Sequence, residues 1–186
     1  DMDWAGMSKG LNTKYNASRE KPSLLYYGDF ENTGRMRLVE AEFEDDTLFP
    51  IRGKSCSTNA MPYLKNEFQT FRDFAAASLE TIYQPERLNS AHRFEANTLE
   101  SGILVNDGKG RFQFQPLPRL AQIAPGKGAT LTDFGGDGDL DLYMLQNFYS
   151  PQLETGRMDG GVSQLVKGDG TGWFSLVSPA ESGLVI

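Results

Sequence analysis

The sequence predicts a mainly β fold with a small helical insert, on three observations. Turn-formers are abundant: 20 Gly and 9 Pro in 186 residues favour many short elements over long helices. A strand–turn–strand pattern occurs twice at one fixed spacing. Helical periodicity is confined to about residues 54–93. The length fits one ordinary domain or two very small ones, and a hydrophobic fraction of 39% supports a packed core. The formal charge of −7 counts against a general nucleic-acid or anionic-membrane binder.

The repeated pattern sets Ser101–Phe114 over Ser163–Leu176, with Asp107 and Asp169 62 positions apart. Ser101 and Ser163 align, as do Gly108 and Gly170, Gly110 and Gly172, and Phe112 and Phe174. The pairs Ile103/Leu165, Leu104/Val166 and Phe114/Leu176 stay apolar. Each stretch reads as strand, Asp-Gly turn, strand, because Asp-Gly accepts the positive φ of a tight turn. Phe112 and Phe114 alternate with Arg111, Gln113 and Gln115, which predicts that the phenylalanine face is buried.

A second match lies 104 positions apart: Asp29-Phe-Glu-Asn-Thr-Gly-Arg-Met-Arg-Leu38 and Asp133-Phe-Gly-Gly-Asp-Gly-Asp-Leu-Asp-Leu142. The excess over 62 implies an insertion of 42 residues, and the helical segment fills it. There Leu64, Phe68, Phe71, Ala75, Leu79 and Ile82 recur at spacings of three and four. Pro62 suits a first helical turn, Ser57, Thr58 and Asn59 are cap candidates, and Pro85 is expected to stop the run.

The strongest chemical signal is the segment Asp133–Asp141, with four carboxylates in nine residues and no Lys or Arg between Lys127 and Arg157. Crowded carboxylates raise the cost of ionising one another, and a hard, oxygen-seeking cation relieves it. Asp133, Asp137, Asp139 and Asp141 hold positions 1, 5, 7 and 9 of a wrapping loop. Gly138 at position 6 permits the sharp turn. Position 3, where a carboxylate is expected, is Gly135, which points to a weak site of about 10⁻⁴–10⁻³ M. Position 12 is Met144 rather than Glu, so this is not the helix–loop–helix calcium hand. Zinc is disfavoured without clustered Cys or His, and the strict octahedron of Mg²⁺ suits this loop less well than Ca²⁺. In the earlier loop position 9 is Arg37. Its guanidinium is expected to pair with Asp29 or Glu31 and to stand where an ion would.

These residues resemble the FG-GAP/VCBS repeat family. The resemblance rests on Asp133–Leu142 with the hairpins Leu104–Phe112 and Val166–Phe174, and covers about 24–50 and 98–186. It implies a partial β-propeller of about three blade-like units of antiparallel sheet over residues 1–186, interrupted by a helical insertion at about 54–93. It also implies Ca²⁺ held by Asp133, Asp137, Asp141 and the main chain of Asp139. The expected role is a non-catalytic binding or scaffold module in adhesion or in protein or carbohydrate interaction. Such modules are extracellular, cell-surface or periplasmic. The alternative is the propeller frame of a secreted polysaccharide hydrolase or lyase. Propellers close with four to eight blades, so three units leave open edges, and self-association is expected.

Other features carry less. The chain starts at Asp1 with no initiator Met and no basic-then-apolar leader, which reads as a trimmed targeting segment or a piece of something longer. No apolar run is long enough to predict membrane insertion. Cys56, the sole cysteine, and His92, the sole histidine, are 36 positions apart, with His92 on a strand-like stretch. A thiol–imidazole pair is disfavoured. Lys167-Gly168-Asp169 spells an integrin-recognised tripeptide but sits at a hairpin turn. Asn16-Ala17-Ser18 fits the glycosylation pattern, and Gly126-Lys127-Gly128 is too short for a phosphate loop. Asp137 and Asp141 are a candidate acid–base pair only where no metal engages them. Tyr26, Tyr27, Tyr143, Phe148 and Tyr149 read as packing around the acidic loops or as a binding surface.

Overall fold

The computed structural model describes residues 3–151 and 155–184, so Asp1 lies outside the described residues. The fold is mainly β, with three antiparallel sheets and short helices. The chain divides into two compact units: Asp1–Lys14 with Leu99–Ile186, and Tyr15–Thr98. The second unit is carried in the connection between two paired strands of the first. No helix among the described residues is long and apolar enough to cross a membrane.

In the first unit, β1 (Trp4–Gly6), β6 (Gly102–Asn106) and β7 (Phe112–Pro116) form a sheet in the order β1-β6-β7. A second sheet, β8 (Gly126–Thr132), β9 (Asp141–Gln146), β10 (Gln164–Gly168) and β11 (Phe174–Val177), is a simple meander. A 3-10 turn at Arg119–Gln122 joins β7 to β8. A short helix, Pro179–Ser182, follows β11 behind a Ser178–Glu181 capping box.

The two hairpins of the sequence repeat are structural equivalents. Asp107 N donates to the Arg111 carbonyl at 3.0 Å, and Asp169 N to the Trp173 carbonyl at 3.2 Å. Gly108, Gly110, Gly170 and Gly172 all have positive φ, which explains why glycine recurs at these points. The likeness extends to β1, which the sequence reading did not find. Trp4 faces Leu104 as Leu142 faces Val166. Asp3 Oδ1 accepts from Asn106 N (2.7 Å) as Asp141 Oδ1 accepts from Gly168 N (3.1 Å). The Ser101 hydroxyl accepts from Ser8 N at 2.9 Å, and the Ser163 hydroxyl from Gln146 N at 3.4 Å. Thus β1-β6-β7 repeats β9-β10-β11.

The two sheets share one core: Ile103, Leu117, Ala121, Leu142, Met144 and Val166, with Ala5, Val105, Phe174 and Leu176 against it. Here the expected burial of the Phe112/Phe114 face is corrected. The alternation is present, but the Ile103/Val105 face turns inward and Phe112 is 47% exposed. The reason is the way the sheets meet. The β9–β10 sheet offers its Leu142/Val166 face, and the β6–β7 sheet offers the opposite one. Equivalent positions therefore have opposite fates: Val166 is buried and Leu104 is exposed.

The second unit holds β2 (Ser23–Gly28), β3 (Arg37–Glu44), β4 (Thr47–Pro50) and β5 (His92–Ala96), in the order β4-β3-β2-β5. Five helices lie between β4 and β5: α1 (Lys54–Ala60), α2 (Leu64–Glu67), α3 (Phe71–Ala76), α4 (Leu79–Tyr83) and α5 (Pro85–Ser90). They cover one sheet face, burying Leu24, Tyr26, Val39 and Ala41 with Leu64, Phe74, Leu79, Ile82 and Tyr83. The spacing predicts a stripe across this whole segment, but the helix is broken. Thr70 and Ser78 cap α3 and α4, and Pro85 opens α5 instead of ending a run. Each restart shifts the phase, so Phe71 and Ala75 are exposed and Phe74 is buried. Ser57 and Thr58 are buried inside α1 and cap nothing.

Candidate metal centre

Both acidic loops join two neighbouring strands, Asp29–Met36 between β2 and β3 and Asp133–Leu140 between β8 and β9. Their first aspartate organises each turn. Asp29 Oδ1 accepts from the backbone N–H of Glu31 and Thr33, and Oδ2 from Gly34 at 2.6 Å. Asp133 Oδ1 accepts from Gly136 (2.6 Å) and Asp137 (3.2 Å), and Oδ2 from Gly138 at 2.9 Å. Gly34 and Gly138 correspond, and both have positive φ. Slight desolvation pushes the Asp29 carboxyl up, but the N–H groups of Gly34, Thr33, Glu31 and Asn32 outweigh it and hold it below its ordinary value.

Asp141 is the buried member, 3% exposed. Its Oδ2 accepts from Phe134 N (3.0 Å) and Gly135 N (3.2 Å), and its Oδ1 from Gly168 N on β10. A buried carboxylate needs such donors, and here they tie the loop to the next strand. Asp137 takes the Lys167 ammonium at 2.7 Å. That hydrogen bond, with Asp139 N as a second donor, holds the Asp137 carboxyl below its usual range. The same hydrogen bond raises the Lys167 ammonium. An acid for glycoside cleavage must keep its proton to high pH, and Asp137 is shifted the other way.

Position 3 explains the difference between the loops. A Cβ added to Gly135 would stand 3.6 Å from Asp137 Oδ2 and 3.8 Å from Asp141 Oδ2. In the first loop that position holds Glu31, and the position of Asp141 holds Arg37. Arg37 Nη2 lies 3.3 Å from Glu31 Oε2. The expected Arg37 pairing is therefore made with Glu31. In the first loop the position-3 side chain thus meets position 9, and in the second a Cβ at position 3 would lie near both position 5 and position 9.

A Cβ at Gly135 would thus face carboxylate oxygens of Asp137 and Asp141, and Asp137 already binds a cation, the Lys167 ammonium. That donor chemistry fits a hard cation seeking oxygen. Among the described residues no three metal-ligating side chains gather in one cluster. The reason lies in the hydrogen bonds above: Asp133 is turned to its own loop amides, and Asp137 to Lys167.

The remaining sequence candidates fall elsewhere. The Cys56 thiol lies 3.8 Å from Arg52 Nη1, and His92 is exposed on β5 opposite Tyr27. Tyr26 is buried in the second unit's core, while Tyr27 and Tyr149 are exposed. The Lys127 ammonium sits 3.9 Å from the Phe148 ring centre. Lys167-Gly168 end β10 with Lys167 engaged by Asp137, and Asn16 is exposed. The link of Asp3 to Asn106 escaped the sequence reading. The only sequence signal for it was an Asp before an apolar residue, as in Asp141-Leu142. No protein-family model matches the chain, and no curated protein or solved structure matches it.

Proposed function

We propose that this chain is a calcium-stabilised binding or scaffold module that acts outside the cytoplasm, its sheets serving as blade-like units of a partial β-propeller. In this reading Asp133, Asp137, Asp141 and the Asp139 carbonyl hold Ca²⁺. The supporting observation is the pair of carboxylates, Asp137 and Asp141, that converge before Gly135, with Asp137 already paired to an ammonium group. When bound, the ion supplies positive charge and oxygen coordination. The chain's own part is to hold Asp141 rigidly on three backbone donors and to release Asp137 from Lys167. A weak site suits the calcium-rich exterior better than the cytoplasm.

Binding to the folded loop alone adds RT ln(1 + [L]/Kd), about 1.4 kcal/mol at ten times Kd. The test is thermal unfolding in EDTA and in excess Ca²⁺, with isothermal titration on the wild type and on Asp141→Asn. Calcium is expected to raise the melting temperature of the wild type and not that of the variant. Identical wild-type melts with no binding heat refute the ion.

A further inference from the structure

The face of the β1-β6-β7 sheet that carries Trp4, Leu104, Phe112 and Phe114 is apolar and open. Trp4 is 59% exposed, and Leu104 and Phe112 are exposed beside it. Three isolated surface apolar groups would need no explanation, but adjacent ones on one sheet face do. Strand pairing puts Trp4, Leu104 and Phe114 in one row across the sheet.

The molecule itself indicates what such a face takes. Trp4 and Leu104 correspond to Leu142 and Val166, and Phe114 to Leu176. In the β8–β11 sheet those residues are covered by the opposite face of the neighbouring sheet, the one bearing Ala5, Ile103 and Val105. The packing is heterologous: one kind of face meets the other kind. An open acceptor face calls for an open donor face of the Ala5/Ile103 kind.

One face of that kind lies away from the core and is partly open among the described residues. It belongs to the β8–β11 sheet, where Tyr143, Leu145, Leu165 and Val177 line the side away from the core. Tyr143 and Leu165 correspond to Ala5 and Ile103. Leu145 is exposed, and the other three are half-buried. The matching face of the β2–β5 sheet, with Val39 and Ala41, is buried with the helices and unavailable. The β8–β11 sheet already packs against the far side of the β1-β6-β7 sheet, so this second face points away from Trp4 of the same chain.

We infer that the Trp4/Leu104/Phe112/Phe114 face docks the Tyr143/Leu145/Leu165/Val177 face of a second copy of this chain, repeating between molecules the sheet packing found within one. Heterologous contacts of this kind close into rings or extend into chains. Two copies would stack four such sheets, the smallest number at which propellers close. The inference stands on sheet packing and does not depend on the ion.

The test is sedimentation velocity of the full chain from about 1 µM to about 1 mM, a range that spans weak interfaces. The variants are Trp4→Glu and Leu145→Glu, with melting curves as a folding control. Both positions are exposed, and Phe112→Glu replaces Trp4→Glu if that variant melts low. The wild type is expected to exceed its monomer mass of 20.6 kDa as concentration rises. Each variant alone stays monomeric, and an equal mixture of the two regains a two-chain species, because each supplies the face the other lacks. A wild type that is monomeric throughout overturns the inference. So does assembly by either variant alone, or a mixture that stays monomeric.

Discussion

Replacing Gly135 by Asp supplies the carboxylate missing from position 3. The backbone accepts it: φ at Gly135 is not in the left-handed region, and the nearest atom to an added Cβ is 3.6 Å away. The new group would face Asp137 and Asp141, so its effect depends on what stands between them. Without a divalent ion it adds a third negative charge to the space and destabilises the fold. With calcium it adds a ligand, and one further carboxylate moving Kd from about 10⁻³ to about 10⁻⁴ M is a modest gain on the scale of such sites. At about 1 mM calcium, linkage then rises from roughly 0.4 to roughly 1.4 kcal/mol. For a chain of this length that difference is about 2–4 °C in Tm. The assay is differential scanning fluorimetry of wild type, Gly135→Ala and Gly135→Asp, each in EDTA and in calcium. The expected signature is a change of sign: Gly135→Asp melts below Gly135→Ala in EDTA and above it in calcium. An equal shift in both buffers refutes the reasoning, because the position would then not face an ion site.

Arg37→Asp removes the guanidinium from Glu31, and calorimetry is expected to show a second calcium-binding event; no second event means that Arg37 does not stand in for an ion. Phe30 is fully buried, 5.4 Å from the Tyr83 ring, whereas its counterpart Phe134 is 48% exposed. Phe30→Ala should cost about 3–5 kcal/mol in urea unfolding and Phe134→Ala about 0.5 kcal/mol or less. Asp29 has a folded pKa below its ordinary 3.8, so its stabilisation is present above that value and is lost as pH falls through the lower one. Asp29→Asn should therefore flatten the acid limb of the stability curve, followed by circular dichroism between pH 5 and pH 2. An unchanged limb would assign acid unfolding to other carboxylates.

The sequence revealed those parts of the fold whose signal is local. Asp107-Gly108 and Asp169-Gly170 demand a particular backbone, so both hairpins were legible, as was the loop turning on Asp133 and Gly138. What is set by tertiary contact was not. Three residues of β1 carry no periodicity, and their kinship with β9 is visible only in register and in the Asp3–Asn106 bond. Phe112 and Phe114 look like core residues, but which face of a half-apolar hairpin is buried depends on its neighbour. The helical stripe failed at Phe71 because Thr70 and Ser78 restart the helix, a capping effect that overrides a count of three and four. In the acidic loop, the four aspartates and the gap at Gly135 were legible. The competing Lys167 was not, since it comes from a strand 30 positions beyond Asp137.

Carrying the second unit inside the β1–β6 connection has a consequence for how the chain acquires its shape. Gly6 must find Gly102, 96 positions away, whereas Met144 finds Gln164 only 20 positions on. For an unstructured tether the longer search costs about 1.4 kcal/mol more. The inserted unit removes much of that burden if it forms first, because Ser23 and Ala96 near its two ends are paired neighbours on adjacent strands. On emergence from a ribosome, β1 would wait alone until the insert had collapsed and handed it its partner. Defects in the interior of the inserted unit should therefore surface as slow or incomplete assembly of a sheet to which none of its residues belongs.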